Sequence, residues 1–423
     1  MKFAVVGSGI SGLSMATILS QDHEVTLYEK DDRFGGHSNT VEINYNNEII
    51  NVDTGFIVFN ETNYPNLVKL FKFFSVKYVD SDMSLSVQHQ KMDIEWSGQN
   101  FKSIFSKKKF LKKLYFFIAV IQIPIFNFHV KYLINYKFLE TIPLKDWLRK
   151  NPYSKSFQDL YLLPMAGAIW SMPSGDVMKY PIKSLFEFFN NHKLLHGKRD
   201  RPKWKTVSNG SISYVKKLIS FLSANPKVKI EKNIRILGIE RNKDCILIKD
   251  SNNNSNKFDH IIFSTNPSKT LEILSDADNK EIEILKNFST NKNIAYLHND
   301  ASLMPTLKKT WSAWNVFIPK EEKKNISVTY WMNKLQNIKK KNPLFLSLNP
   351  PKNPKESSVF RVIDYEHPIF DLKAINSQKL LKKIQGNKNT WHCGAWSGNG
   401  FHEDGIQSSL NLAKTLGVKV LWE

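Results

Sequence analysis

The sequence predicts an α/β protein whose chain opens on a strand–helix–strand unit. Three observations predict it. Residues 2–6, KFAVV, form the short apolar run that a buried parallel strand needs. A glycine-rich turn, Gly7-Ser8-Gly9-Ile10-Ser11-Gly12, follows at once. The chain has 423 residues, 41% hydrophobic and 12% aromatic, enough for two or three domains with large cores.

Residues 13–20 then read as a helix. Residues 24–28, EVTLY, read as a second strand that ends on Glu29. The acid lies 22 residues after Gly7, the spacing of a dinucleotide-binding βαβ unit. Gly7 permits the tight turn, Gly9 lets a pyrophosphate approach the backbone, and Gly12 lets helix and strand pack closely. The helix N-terminus presents N–H groups and a positive dipole end to phosphate. Glu29 can accept hydrogen bonds from ribose hydroxyls. The first strand begins at residue 2, which leaves no place for a secretory signal or presequence; the expectation is a cytoplasmic protein.

Two cysteines, Cys245 and Cys393, exclude a disulfide scaffold, a zinc ribbon and a cysteine-ligated iron–sulfur cluster. No H-E-x-x-H, nucleophile elbow or metal-ligand spacing occurs, so no metal is expected. Sixty Lys+Arg against 39 Asp+Glu give a net charge of +21. Much of this is a composition crowded with Lys, Asn, Ile and Phe. Nucleic acid is not an expected partner, because no zinc-finger, RNP or basic-heptad pattern accompanies the charge. One segment points to a membrane surface. Lys107, Lys108, Lys109, Lys112 and Lys113 precede the apolar run LYFFIAVIQIPIFNF at 114–128. Fifteen residues, interrupted by Gln122, Pro124 and Asn127, are too few to span and suit a buried or interfacial helix. Residues 107–128 are therefore a candidate peripheral membrane contact.

Beyond Glu29 the chain reads Lys30-Asp31-Asp32-Arg33-Phe34-Gly35-Gly36-His37. E-K-x-x-R-x-G-G resembles the extended signature of FAD-binding proteins. Asp53-Thr54-Gly55-Phe56 resembles the loop that crosses the flavin in amine oxidases and phytoene-desaturase-like enzymes. VSNGS (207–211), VKIEKNIRILGIE (228–240), FDHIIFSTNP (258–267) and TWHCGAW (390–396) resemble further FAD-domain segments of that superfamily. Stretches 53–67, 163–176, 201–211, 367–371 and 394–405 are similar to a bacterial amine-oxidase-type branch associated with fatty-acid-modifying methyltransferases. Asn209 stands where the family commonly has glycine, and Asn tolerates the positive φ such a turn requires. No acid follows Gly394 directly, unlike some amine oxidases.

The resemblance implies a Rossmann-type FAD-binding domain (1–85, 205–275, 375–423) interleaved with an α+β substrate-binding domain (86–204, 276–374). It implies FAD contacts from Gly7, Ser8, Gly9, Ile10, Ser11, Gly12, Glu29, Lys30, Arg33, Gly35, Gly36, His37, Asp53, Gly55, Phe56, Ile234, Gly394, His402, Asp404 and Gly405. His402 and Glu403, expected in the loop before a last helix at 406–416, are candidate acid/base or orienting groups. Lys205 is a third candidate, because some family members hold a lysine near the flavin; His192 is a weaker one. Cys393 is expected to be inert. Phe186, Phe188, Phe189, Trp170, Trp204, Trp311, Trp314 and Trp331 are candidate walls of an apolar pocket. The implied activity is dehydrogenation of an apolar substrate, such as a fatty-acyl chain or phospholipid, by hydride transfer to flavin. The alternatives are an amine oxidase, or a non-catalytic flavin-stabilised lipid- or nucleic-acid-binding protein.

Overall fold

The computed structural model describes residues 1–98, 110–170, 177–191, 195, 202–320, 326–339 and 342–423. At its centre lies a five-stranded parallel sheet. Lys2–Val6 pairs with Glu24–Glu29 on one side and His260–Phe263 on the other. Val228–Lys232 and Thr390–His392 complete the two edges. Phe3, Ala4 and Val5 have no exposure, as a central strand covered on both faces requires. Helix Ile10–Leu19 is buried on every side, between the C-terminal helix His402–Leu416 and the helix Ile212–Ser223. That explains its apolar composition all round.

A second body is built on a seven-stranded mixed sheet. Its strands are Leu85–His89, Ile94–Ser97, Thr290–His298, Trp314–Ile318, Ser327–Trp331, Phe345–Leu348 and Val359–Pro368. The helices Phe110–Leu133, Leu144–Lys150 and Ile182–Asn191 share one apolar core with this sheet. The hairpin of Thr40–Tyr45 and Glu48–Asp53 adds Ile43, Ile50 and Val52 to the same core. The parallel sheet thus draws its strands from 1–85, 205–275 and 375–423. The seven-stranded sheet draws on 85–97 and 290–368.

The apolar run at 114–128 lies within a longer helix than its composition suggests. Phe110–Leu133 is one 24-residue helix that continues through Pro124. Within it, Leu114–Leu133 is long and apolar enough to cross a membrane, which corrects the fifteen-residue limit read from the sequence. Proline removes one helical hydrogen bond. Here Pro124 is exposed, while Phe126 and Val130 on the opposite face are wholly buried and hold the next turns in place. Lys107, Lys108 and Lys109 lie outside the described residues.

A buried ion pair ties helix Asn279–Leu285 to strand Ile236–Arg241. Arg241, in strand Ile236–Arg241, donates to Glu281 through both terminal nitrogens, Nη2 at 2.7 Å, and through Nε to Asp276 at 2.9 Å. The Arg241 and Glu281 side chains have no exposure. Breaking such a pair leaves an uncompensated buried charge and costs about 3–5 kcal/mol. Glu281→Ala is therefore expected to lower unfolding free energy by about that amount in urea titration.

Candidate functional site

The site begins at the first turn. Gly7 takes φ +98°, a conformation that favours glycine. A Cβ on Gly12 would lie 1.9 Å from the Gly7 carbonyl oxygen, so helix and strand meet with no room for a side chain. A Cβ on Gly9 would meet nothing within 4 Å. The turn is therefore closed on its inner side and open at Gly9. The helix that follows has no side-chain cap and no acid in its first turn. Its leading N–H groups and positive dipole end thus face the open side, as an anion site requires. Ile10 and Ser11 are buried against the C-terminal helix, where a Cβ on Gly405 would come within 2.9 Å of both.

Glu29 ends the second strand beside this turn. It accepts from the Ser8 backbone at 3.0 Å, from the Ser8 hydroxyl, and from the Asp31 backbone at 3.0 Å. A carboxylate has about four acceptor positions, so capacity for a ribose hydroxyl is left. Ile234, in the turn between strands Val228–Lys232 and Ile236–Arg241, donates its N–H to the Glu29 carbonyl at 2.9 Å. Lys30 is exposed. Arg33 donates to the Gly36 carbonyl at 2.8 Å and shapes the loop that carries the second glycine pair. Gly35 and Gly36 both have positive φ, and Gly36 passes over Gly9, its Cβ position 3.1 Å from the Gly9 Cα.

The other end of the cleft gathers three histidines. His402 stacks on Phe56 with ring centroids 3.7 Å apart, and its Nε2 lies 2.7 Å from Ser38 Oγ. Tyr214 bonds to the same Ser38 hydroxyl. His37 stacks on Tyr365 at 5.4 Å and approaches His367 at 5.3 Å. His37 is exposed as a residue. A Cβ on Gly55 would lie 2.1 Å from the His37 carbonyl, so this wall too is built on a close backbone crossing. Burial pushes both His402 and His367 down to about 3, and His37 below its ordinary value. Burial thus disfavours the charged form of all three rings.

Phe188 and Phe401 meet at 5.8 Å beside His402, and Phe370 lies under Gly400. Sequence reasoning missed Ser38, Tyr214, Tyr365 and His367 as site residues. One signal was present: Tyr365 and His367 are two apart in a strand, which places both on one face.

Several candidates have other tasks. The C-terminal helix starts at His402, four residues earlier than expected, because the Asp404 carboxylate accepts from the Phe401 N–H at 2.8 Å. His402 and Glu403 therefore occupy the first turn, not a loop. Glu403 accepts from the Asn66 and Leu67 N–H groups at 2.9 and 3.1 Å, capping helix Pro65–Phe73. Lys205 is paired with Asp80 at 2.6 Å in a strand pair, a structural ion pair rather than a group aimed at a cofactor. Asp53 is buried and tied to Thr40 and Ser211, so it faces no open space. Gly394 lies where a Cβ would strike the Trp396 indole. Cys393 is fully buried and its thiol is pushed up to about 12, so it is inert at neutral pH.

Phe186 and Phe189 are core, packed on Phe126. Trp311 packs on Trp331, and Trp314 on Tyr330. Trp204 is half-buried. His192 and the Trp170 side chain lie outside the described residues. Among those described, no His, Cys, Asp or Glu group is arranged to hold a metal ion.

Residues 5–74 match the NAD(P)-binding Rossmann-like domain family. Over its whole length the chain shares its fold with solved oxidase and isomerase structures. Cyclohexylamine oxidase from Brevibacterium oxydans superposes with a TM-score of 0.68 at 12% identity, over 98% of this chain and 99% of that one. A CLA-producing fatty acid isomerase from P. acnes gives 0.66 at 15% identity, over 98% of each. At such identities the likeness is one of fold. A 4,4'-diapophytoene desaturase (4,4'-diaponeurosporene-forming) of Staphylococcus aureus is 49% identical over 43 residues, 10% of this chain and 9% of that protein.

Gly9 and Gly12 should separate binding from folding. Gly9→Val is expected to keep the native circular dichroism and lose nucleotide binding at least about tenfold, read by equilibrium dialysis; Gly12→Val is expected to lose the fold. His392 supplies a pH test. It is buried on Phe263, neither ring nitrogen has a partner among the described residues, and burial pushes it down to about 3. A histidine depressed in the folded state contributes stability above its unfolded pKa of about 6.5 and loses it as pH falls. His392→Leu should therefore gain stability over the wild type as pH drops from about 6.5 towards 4, measured by thermal melting.

Proposed function

We propose that the protein is an FAD-dependent oxidoreductase of the amine-oxidase and desaturase type, acting on an apolar substrate such as a fatty-acyl chain. The turn fits a dinucleotide diphosphate: it is open at Gly9 and uncapped at the helix start, and Gly36 passes over it. Glu29 fits a ribose, and Ile234 supports the adenine side. The Gly35–Gly36 crossing is the feature that favours FAD over a nicotinamide cofactor. The chemistry FAD supplies when bound is acceptance of a hydride, the neighbouring substrate carbon losing a proton as a double bond forms.

The observation that carries the substrate class is the neutral lining beside His402. Phe56, Phe188 and Phe401 are apolar, and burial disfavours the charged form of the histidines. The nearby carboxylates, Glu403 and Asp404, are engaged as helix caps. A cationic amine would be desolvated there without a facing charge, which is costly. His402, held flat on Phe56 and bonded to Ser38, orients and shields. An amine substrate is the second reading, favoured by the fold shared with cyclohexylamine oxidase.

The test is the absorption spectrum of the purified chain, followed by anaerobic mixing with donors. Flavin bands are expected, bleached by fatty acids or their phospholipids and not by putrescine or cyclohexylamine. No flavin bands after incubation with FAD would overturn the cofactor assignment. Bleaching by amines alone would overturn the apolar substrate.

A further inference from the structure

The helix Phe110–Leu133 has two apolar faces, and only one is used inside the protein. The inner face carries Phe116, Ala119, Phe126 and Val130, all buried. Phe126 sits among Phe157, Phe186 and Phe189, with ring centroids 5.4–5.9 Å away. Gln122 accepts from the Ser154 N–H and hydroxyl, each at 2.9 Å, and His129 bonds to Tyr153 at 2.7 Å. The helix is thus clamped along its length.

The outer face carries Leu114, Ile118, Ile121, Ile125, Phe128 and Tyr132, spaced by alternating steps of four and three residues. That is one unbroken helical stripe, about 27 Å long at 1.5 Å per residue. All six are exposed, with Ile121 at 64% and Phe128 at 68%. Scattered exposed hydrophobes are ordinary, but a continuous stripe marks an interaction surface.

We infer that this stripe is a membrane-docking surface, lying flat in the headgroup region of an anionic bilayer. Charge chooses the occupant. From residue 96 to 139 the sequence has eight lysines and no Asp or Glu. A second copy brought face to face would oppose cations with cations, whereas anionic lipid is attracted to them. Tyr132, Tyr136 and Phe138 are exposed at the C-terminal end, where amphipathic aromatics suit an interface. The clamped inner face settles the geometry: Phe126 and Val130 cannot turn outward without emptying the core, so the helix lies on the bilayer and does not cross it. The inference is independent of the flavin reading.

Vesicle flotation of the full chain tests it, with phosphatidylcholine alone and with phosphatidylglycerol added. The wild type should float with the anionic vesicles, and alkaline carbonate should release it. Ile121→Asp/Phe128→Asp, at exposed positions, should keep the wild-type melting temperature and weaken flotation at least about tenfold. Lys131→Gln/Lys137→Gln should weaken flotation on anionic vesicles only. No flotation by the wild type, flotation unchanged in the Asp variant, or resistance to carbonate would each overturn the inference. So would a dimer in sedimentation that the Asp variant dissolves while vesicle binding is absent.

Discussion

Stretches of chain far apart in sequence meet at one buried carboxylate, Asp53. Thr40 donates to it at 2.5 Å, and Ser211 donates its backbone N–H and its hydroxyl at 2.9 and 2.8 Å. The Asp53 N–H is held in turn by the Gln336 side chain, 2.9 Å away in the second body. Burial raises the carboxyl to about 6 while these donors pull it back. Water removed from a carboxylate must be replaced by such donors, or the arrangement does not form. Because Gly55 and Phe56 follow directly, this knot sets the wall on which His37 and His402 rest.

The same economy governs the other charges around the cleft. Glu403 and Asp404 complete two helix N-termini, one each for Pro65–Phe73 and His402–Leu416. Arg241 and Glu281 neutralise one another out of water. Lys205 is balanced by Asp80. Acids and bases thus hold the frame, and what they leave beside His402 is uncharged. In such a setting orientation comes from stacking and from the Ser38 and Tyr214 hydroxyls, and selectivity from shape and desolvation.

Local features were legible in the sequence. The strand at 2–6, the three turn glycines and Glu29 lie within 30 residues, and each follows from backbone sterics or dipole physics. The Asn209-Gly210 turn was legible too, since both positions take positive φ, 61° and 87°. What was not legible depends on distant partners. Lys205 and Glu403 look like catalytic groups until Asp80 and Asn66 appear beside them. His367 reaches His37 across more than 300 residues, a contact no periodicity announces. The long helix was misjudged at Pro124 because its continuation rests on Phe126 and Val130, anchored in a core built from other segments. The early start of the last helix rests on one carboxylate folding back onto a phenylalanine N–H.

The interleaved chain order has a consequence during synthesis. The glycine turn is made well before the rest of its sheet, which lacks an edge until Thr390–His392 arrives, while its helix lacks cover until His402–Leu416 does. At roughly 5–20 residues per second, that is about 20–80 s during which an apolar half-sheet is unfinished. The second body fares no better, since its outermost strand, Val359–Pro368, is also late. Until those late strands are made, the unfinished sheets carry unpaired strand edges, the kind of surface that pairs with other chains.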